Sequence, residues 1–320
     1  MDATPVTTEH CENAARRVVG PAIAEAHAAF NHKANDMATM LKPLDEQVIV
    51  ITGASSGIGL ATTMVAAASG AKLVVAARSE DTLRQLASDI RANGGEATYQ
   101  AGDVGRLSDV RRIADKAIAR FARIDTWINV AGVSIYGRLT QTSDEDNRRL
   151  FDTNFWGTVY GSKVALPHLE MSRGALINIG RDASGMDSPQ QALYAVSKTA
   201  VKGFTDELRA ELERDHVRVS VKLIEPGATD TPFPHHARNY TAKAPALPES
   251  LSDPFQVAER ILEAATDKKD SIKRDVNPLQ WQPGSQPTRD PDGALHRPSG
   301  SGKVFGGERL GVLAALIHPT

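Results

Sequence analysis

The chain has 320 residues, of which 41% are hydrophobic and 24% charged, with a formal net charge of −2. These totals fit a globular protein with one large domain plus appendages or with two small domains. They give no reason to expect nucleic acid or an anionic membrane as a partner. Cys11 is the only cysteine, which excludes an intrachain disulfide and a cysteine-based zinc site. No apolar run approaches the roughly 20 residues of a membrane-spanning helix, and the acidic start is unlike a secretory signal. We therefore expect a cytoplasmic protein.

Residues 1–42 stand apart from the rest of the chain. They contain an Ala-rich run, Ala14–Phe30, which Gly20-Pro21 interrupts. Its apolar face is poorly defined, so we predict an N-terminal extension that is partly helical or disordered. A helix that packs on the protein or on a second copy is the alternative.

The stretch Gln47–Gly59 reads Gln-Val-Ile-Val-Ile-Thr-Gly-Ala-Ser-Ser-Gly-Ile-Gly. Its apolar start, Val48–Ile51, is typical of a strand buried on both faces of a parallel sheet. A glycine-rich turn and an Ala-rich helical run follow, and free N–H groups at such a helix start favour a diphosphate. A purely structural strand–helix turn is the alternative. The residues predicted to form this cradle are Gly53, Ser55, Ser56, Gly57, Ile58 and Gly59.

Strand-like and helix-like segments alternate as far as Asp267. Strands separated by helix-length segments imply right-handed crossovers, so we predict an α/β fold, a doubly wound parallel sheet of the Rossmann type over residues 43–270. The predicted strands are Val48–Ile51, Lys72–Ala77, Glu96–Ala101, Asp125–Val130, Gly174–Ile179 and Val217–Ile224. The predicted helices are Leu60–Ser69, Ser79–Asn93, Leu107–Arg123, Asp144–Leu166, Gln190–Glu213 and Pro254–Asp267.

Residues 271–320 predict an irregular C-terminal tail. Asp275–Gly307 is rich in proline and glycine and has few aliphatic side chains, so it can bury little apolar surface. The apolar segment Leu310–Ile317 is a candidate for docking back on the main domain.

Ligands of doubly wound sheets bind beyond the carboxyl ends of the strands. At the end of the second strand the chain has Ala77 and then Arg78. A carboxylate there would hold a ribose 2′-hydroxyl and repel a 2′-phosphate, whereas arginine pairs with the phosphate. The sequence therefore predicts NADP(H) as the preferred cofactor, with NAD(H) possible if Arg78 is a solvated surface side chain.

Tyr194 and Lys198 lie four residues apart in a predicted helix and so share one face. A tyrosine hydroxyl has a pKa near 10 and transfers protons poorly at neutral pH. A nearby ammonium and an oxidised nicotinamide lower that pKa, which makes tyrosine a usable acid or base for a carbonyl/alcohol pair. This spacing also arises by chance in many helices, so its position after the fifth strand matters.

These features occur in the order found in one known family. The chain resembles the short-chain dehydrogenase/reductase family over about Leu44–Asp267. The motifs that carry the resemblance are Thr52–Gly59, Asp103, Asn129–Gly132 (with Val130 where the family usually has a second asparagine), Asn154, Tyr194-x-x-x-Lys198 and Pro226-Gly227. The resemblance implies an oxidoreductase acting on a small carbonyl or alcohol. It also implies a homodimer or homotetramer, built partly from the helices around Asp144–Leu166 and Gln190–Glu213.

The resemblance also implies a role for each matching residue. Asp103 and Val104 would lie near adenine, Asn129, Ala131 and Gly132 near the adenosine ribose and strand scaffold, and Pro226 and Gly227 in the cofactor site. Lys198 would bind the nicotinamide ribose, Thr231 the carboxamide, and Tyr194 would be the general acid/base. Asn154 would anchor a proton-relay water, a role compatible with a helix-kinking asparagine.

One position departs from the family pattern. The family places a serine 13 residues before the tyrosine to bind the substrate oxygen, and here that position is Arg181. Ser184 is the nearest hydroxyl, and only a shifted loop would bring it into place. The usual seventh strand is also hard to find, because Asp270–Asp275 is mostly charged.

Two functions therefore remain open. The first is an NADP-dependent reductase or dehydrogenase, which the presence of Asn154, Tyr194 and Lys198 favours. The second is a non-catalytic NADP-binding sensor or interaction protein, which the missing serine favours. The loop Pro232–Ser252 is expected to select the substrate, whose identity the sequence does not encode. His235 and His236 in this loop lack a third partner at ligand spacing, so we predict no metal site.

Overall fold

The computed structural model describes residues 41–182, 190–241 and 251–267. Its main sheet consists of β1 (Val48–Thr52), β2 (Lys72–Ala77), β3 (Glu96–Ala101), β4 (Thr126–Asn129), β6 (Ala175–Ile179) and β7 (Ser220–Ile224), while β5 (Ile135–Tyr136) and β8 (Arg238–Asn239) form a separate pair. The helices are α1 (Gly57–Ala68), α2 (Glu80–Ala92), α3 (Leu107–Phe121), α4 (Asp144–Phe151), α5 (Gly157–Ser172), α6 (Ala192–Arg214) and α7 (Pro254–Ala264).

All neighbouring strands of the main sheet run parallel, in the order β3-β2-β1-β4-β6-β7. The chain winds outward in one direction from β1 and in the other from β4. The point between these strands is where doubly wound sheets open a crevice for ligands. The predicted α/β doubly wound fold is confirmed.

Successive residues of β1 belong to two different cores. Ile49 and Ile51 pack in a cluster with residues of α1, α2 and α7, whereas Val50 packs in a cluster with residues of α3, α5 and α6. All five residues of β1 are buried. Because helices cover both faces of the sheet, the strand reads as an unbroken apolar run in the sequence.

The predicted helix Asp144–Leu166 is helical throughout, but it is not a single α-helix. A π-helical turn, Asp152–Trp156, separates α4 from α5, and α5 continues past Pro167. A proline inside a helix removes one hydrogen bond. Here Leu169, two residues further along the same helix, is fully buried in the core.

One feature of the fold was not predicted, and several predictions concern residues at or beyond the ends of the described segments. The short β5–β8 pair was not predicted, because each strand has only two residues and the two lie far apart in the chain. Leu41 is buried and Lys42 pairs with Asp125 at 2.7 Å, so these two residues of the predicted extension contact the domain. The rest of that extension, Ser184, Asp270–Asp275 and the predicted tail 271–320 lie outside the described residues.

A chain of buried polar side chains crosses the middle of the sheet. The indole N–H of Trp127 donates to Asn129 Oδ1 at 2.8 Å, Asn129 Nδ2 donates to Asn178 Oδ1 at 2.9 Å, and Asn178 Nδ2 donates to Thr205 Oγ1 at 2.9 Å. All four residues are buried. The chain therefore connects β4, β6 and α6 through satisfied hydrogen bonds in a region where unsatisfied polar groups would be costly.

Candidate active site

A cleft of about 930 Å³ lies across the carboxyl ends of the parallel strands. All of the site residues predicted from the sequence line it, except Asn129 and Asn154. Asn129 belongs to the buried polar chain, so its side chain supports the strands beneath the cleft. We call the half lined by the ends of β1, β2 and β3 the cofactor end, and the half around Arg181, Tyr194 and Phe233 the substrate end.

The glycine-rich turn after β1 has a backbone that larger residues would disrupt. Gly53 and Gly57 have φ values of +71° and +53°, in the left-handed region that favours glycine. A Cβ atom on Gly59 would collide with the Gly53 carbonyl oxygen, and one on Gly53 would lie 2.7 Å from Ala131 Cα. Since α1 begins at Gly57, its free N–H groups open into the cleft and suit a phosphate.

Arg78 follows β2 directly and is exposed at the far edge of the cofactor end. Ser79 and Thr82 line the same edge, with their hydroxyl oxygens 2.8 Å apart. No carboxylate lines this edge among the described residues, because Asp103 is the only acidic side chain on the cleft wall. The edge therefore offers a cation and two hydroxyls to an anionic group.

Asp103 is already paired within the protein. Its Oδ2 lies 2.6 Å from Arg149 Nη1, and its Oδ1 accepts a hydrogen bond from the Gly105 amide at 3.0 Å. Burial acts to raise the Asp103 pKa, but the hydrogen bonds and the charge of Arg149 together lower the pKa below its usual value. An ionised, partly satisfied carboxylate remains to accept a hydrogen bond from a ligand at this wall.

Asn154 lies fully buried behind the cleft wall, in the π-helical turn between α4 and α5. Its Oδ1 accepts from the Val133 amide at 2.8 Å, and its Nδ2 donates to the Val133 carbonyl at 2.9 Å and to Ser197 Oγ at 3.0 Å. The side chain thus clamps the loop after β4 to α6. π-Helical turns of this kind occur often at functional sites.

Tyr194 and Lys198 both face the cleft from α6, as their spacing predicts. Lys198 donates to the Ile179 carbonyl at 2.8 Å, at the end of β6. Burial lowers the Lys198 pKa to about 8 and raises the Tyr194 pKa to about 12. From the sequence we expected a lowered Tyr194 pKa. The protein by itself raises this pKa, because it buries the hydroxyl.

Arg181 is the cation that counteracts this rise. Its guanidinium carbon lies 5.5 Å from the centre of the Tyr194 ring, and its charge acts to lower the pKa of Tyr194 and of Tyr136. The other face of the substrate end is aromatic, with the Phe233 ring centre 5.9 Å from that of Tyr194. A positive charge thus stands where the family pattern has a neutral hydroxyl.

Several cleft residues escaped sequence reasoning. These are Tyr136, Arg149, Thr153, Gln191 and Phe233. Gln191 could have been found, because it lies one helical turn before Tyr194. The others lie on β5, on α4, in the π-helical turn and in the loop after β7, and no local pattern in the sequence marks them.

Comparison with known proteins identifies the family. The family model described as short chain dehydrogenase matches residues 47–241, which span the strands, the cleft turn and the Tyr194–Lys198 pair. The chain belongs to this family.

Curated relatives of this short chain dehydrogenase include the uncharacterized oxidoreductase YxnA of Bacillus subtilis. The two are 47% identical over 232 residues, which are 72% of this chain and 65% of that protein. The 11-beta-hydroxysteroid dehydrogenase A of Sesamum indicum is 37% identical over 183 residues, 57% of this chain and 52% of that protein. The chain thus spans about half to two thirds of the length of these relatives.

Solved structures with the same fold hold nicotinamide cofactors. An alcohol dehydrogenase from the archaeon Thermococcus sibiricus, complexed with 5-hydroxy-NADP, is 28% identical with a TM-score of 0.60, over 67% of this chain and 88% of that one. A short chain dehydrogenase/reductase from Burkholderia phymatum, in complex with NAD, is 27% identical with a TM-score of 0.59, over 72% and 82%. A nicotinamide cofactor is therefore supported for the family member described here.

The described segments of this short chain dehydrogenase contain no candidate membrane span and no candidate metal cluster. No helix in them is both long and apolar enough to cross a membrane. No group of three or more His, Cys, Asp or Glu side chains in them is arranged to hold a metal ion, and His235 and His236 are both exposed.

Proposed function

We propose that the protein is an NADP-dependent oxidoreductase that interconverts a carbonyl and a secondary alcohol. One observation carries the proposal: the glycine-rich turn and the Tyr194–Lys198 pair line a single cleft. A phosphate cradle and a proton-transfer pair in one cleft are the two parts that hydride transfer to a carbonyl needs.

The residues present fit a dinucleotide. The turn leaves no room for a Cβ at Gly53 or Gly59, which keeps the backbone N–H groups open to a diphosphate. Arg78 suits a 2′-phosphate, and this is the support for NADP(H) over NAD(H). Asp103 and Val104 line the wall assigned to adenine, and Thr231 lies against the Gly57 turn, where it can reach the carboxamide.

The cofactor, when bound, supplies or accepts the hydride, and the chain handles the proton. In reduction Tyr194 donates its phenolic proton to the carbonyl oxygen as the alcohol forms. In oxidation the phenolate takes that proton back, and the charges of Lys198 and Arg181 stabilise it. Asn154 acts as a positioning residue, because its contacts hold the loop after β4 and Ser197 beside the tyrosine.

Arg181 should make the enzyme slow on neutral carbonyls. With no serine at this position the substrate oxygen lacks one hydrogen-bond donor, and the loss of such a donor typically costs about 10²–10³-fold in rate. The change Arg181→Ser should therefore raise turnover of neutral carbonyls and leave NADPH affinity nearly unchanged. A robust activity that this change abolishes would mean that the arginine itself stabilises the developing alkoxide.

The direct test is NADPH oxidation by the purified protein against a panel of ketones and aldehydes. Tyr194→Phe removes the transferable proton and should lower kcat by about 10²–10⁴-fold, the usual range for a general acid, with NADPH affinity retained. Tyr160→Phe is a matched control, since the Tyr160 ring stacks on Trp156 away from the cleft. Unchanged turnover in Tyr194→Phe would contradict the proposal.

A non-catalytic NADP-binding protein is the second candidate, and the arginine at the serine position is the observation that favours it. In that case NADPH should bind and Arg78→Asp should weaken it, while no carbonyl is turned over and Arg181→Ser does not start activity. If the unmutated protein and Arg181→Ser both bind NADPH and neither turns over a carbonyl, this candidate is selected.

We propose further that the protein is a cytoplasmic homodimer or homotetramer. Trp156 and Val196 are 44% and 54% exposed and lie by α5 and on α6, the region where the family resemblance puts the contact between copies. Light scattering at micromolar concentration tests this, and a monomer would contradict it.

A further inference from the structure

Arg181 is a half-buried cation at the substrate end that the reaction alone does not require. From its position we infer that the substrate is an oxo acid, with a carboxylate one or two carbons from the reacting carbonyl, and that Arg181 binds this carboxylate. The inference rests on the proposed function, since it names the substrate class of the same cleft.

The first support is distance. The Arg181 guanidinium carbon lies 5.5 Å from the Tyr194 ring centre, so the guanidinium and the phenolic hydroxyl share one small region of the cleft. If the substrate carbonyl oxygen accepts a hydrogen bond from that hydroxyl, the neighbouring carbons of the substrate lie close to the guanidinium. A carboxylate on one of these carbons can pair with the arginine without leaving the aromatic wall.

The second support is that no carboxylate of the described residues forms an ion pair with Arg181. Among the described residues it forms no salt bridge, and its contact is the face of the Tyr194 ring. The other cations of the inner cleft are engaged, Lys198 with the Ile179 carbonyl and Arg149 with Asp103. A partly buried guanidinium without an anion is costly, and a planar carboxylate satisfies it with two parallel hydrogen bonds.

The third support is the remaining lining of the substrate end. Phe233 and Val133 offer apolar surface, while Gln191 donates to Ser134 at 2.9 Å and lies next to Tyr136. No acidic side chain on the described cleft wall faces this end to repel an anion, because Asp103 lies at the cofactor end in its pair with Arg149. The surroundings suit a short carbon chain with one anionic group.

The experiment compares substrates that differ only by the carboxylate. Initial rates of NADPH oxidation are measured with 2-oxobutanoate, 3-oxobutanoate and butan-2-one, for the unmutated protein and for Arg181→Met and Arg181→Lys. Hydrogen bonds to a charged group are worth about 10- to 150-fold in affinity. We expect kcat/KM to favour at least one oxo acid over the ketone by that factor. The ratio of kcat/KM for the oxo acid to that for the ketone should approach one in Arg181→Met. It should be partly kept in Arg181→Lys, which retains the charge but not the two parallel hydrogen bonds of a guanidinium.

Other outcomes overturn the inference. A preference for the ketone in the unmutated protein would do so, as would an equal loss on ketone and oxo acids in Arg181→Met, which would assign the arginine to the carbonyl oxygen. If no carbonyl oxidises NADPH, the proposed function fails. Calorimetric titration of 2-oxobutanoate and 3-oxobutanoate in the presence of NADP⁺ then tests the carboxylate-binding role of Arg181 independently of turnover. Binding that Arg181→Met loses supports the inference, and absent or unchanged binding overturns it.

Discussion

The two ends of the cleft are built in different ways. The cofactor end is made mostly of backbone, from a glycine turn and consecutive strand ends that one stretch of chain supplies in order. The substrate end is made of side chains brought together from the end of β6, the start of α6 and the loop after β7. A backbone cradle tolerates little change at a few positions, whereas a side-chain wall can change its specificity one residue at a time.

The largest expected effect breaks the cradle. In Gly59→Ala the new methyl group meets the Gly53 carbonyl oxygen, and such overpacking costs typically 1–3 kcal/mol. Because the displaced backbone forms the proposed phosphate cradle, we expect NADPH affinity to fall by about 100-fold, measured by nucleotide fluorescence. Gly203→Ala is the control: nothing lies within 4 Å of its added Cβ on α6, so affinity should stay and stability should rise slightly.

The next effect concerns the edge of the cofactor end. Arg78→Asp replaces attraction by repulsion of a 2′-phosphate, and we expect NADPH affinity to fall by about 10- to 100-fold while NADH affinity holds or improves. Arg84→Asp makes the same change of charge on α2, where the arginine pairs with Glu80 and Asp81, and should leave the preference intact. Equal affinities for the two cofactors in the unmutated protein would contradict the assignment of Arg78 to the 2′-phosphate.

A pH profile examines the residue that lies between the two ends. Burial lowers the Lys198 pKa to about 8, so the ammonium is present below that pH and is lost as pH rises through it. We therefore expect kcat/KM to fall about fivefold from pH 8 to pH 9, as the profile reports groups of the free enzyme. In Lys198→Arg the charge persists and this decline should disappear. A flat profile in the unmutated protein would contradict the role of the ammonium.

The smallest effect belongs to the support of the substrate end. The Tyr240 hydroxyl, just after β8, donates to Asp146 at 2.6 Å and joins the loop after β7 to the start of α4. Tyr240→Phe removes a hydrogen bond worth about 1 kcal/mol, so we expect KM for the carbonyl to rise by a few fold. NADPH affinity should not move, and a parallel loss of cofactor binding would show that the two ends are not separable.

The difference between the ends also explains what the sequence could predict. The local signals are the apolar pattern of the strands, the glycine-rich turn at Gly53–Gly59 and the Tyr194–Lys198 spacing. The strands, the turn and the pair lie where these signals predict them. The sequence indicates a helix-kinking asparagine at Asn154 but not the π-helical turn around it, because the contacts of its side chain with Val133 are tertiary. The pKa of Tyr194 was expected to fall, since its spacing shows the nearby lysine but not the burial that the surrounding walls impose.

The polar chain under the sheet has a direction. The Trp127 indole can only donate, and at the other end Thr205 Oγ1 donates to the Val201 carbonyl at 2.7 Å, which can only accept. Each amide between them therefore has one allowed orientation, and neither can flip without orphaning its neighbours. Thr205 lies seven residues, two helical turns, beyond Lys198, so this one-way sequence of donors fixes the rotation and register of α6. The alignment of Tyr194 and Lys198 with the strand ends is thus set by side chains that do not line the cleft.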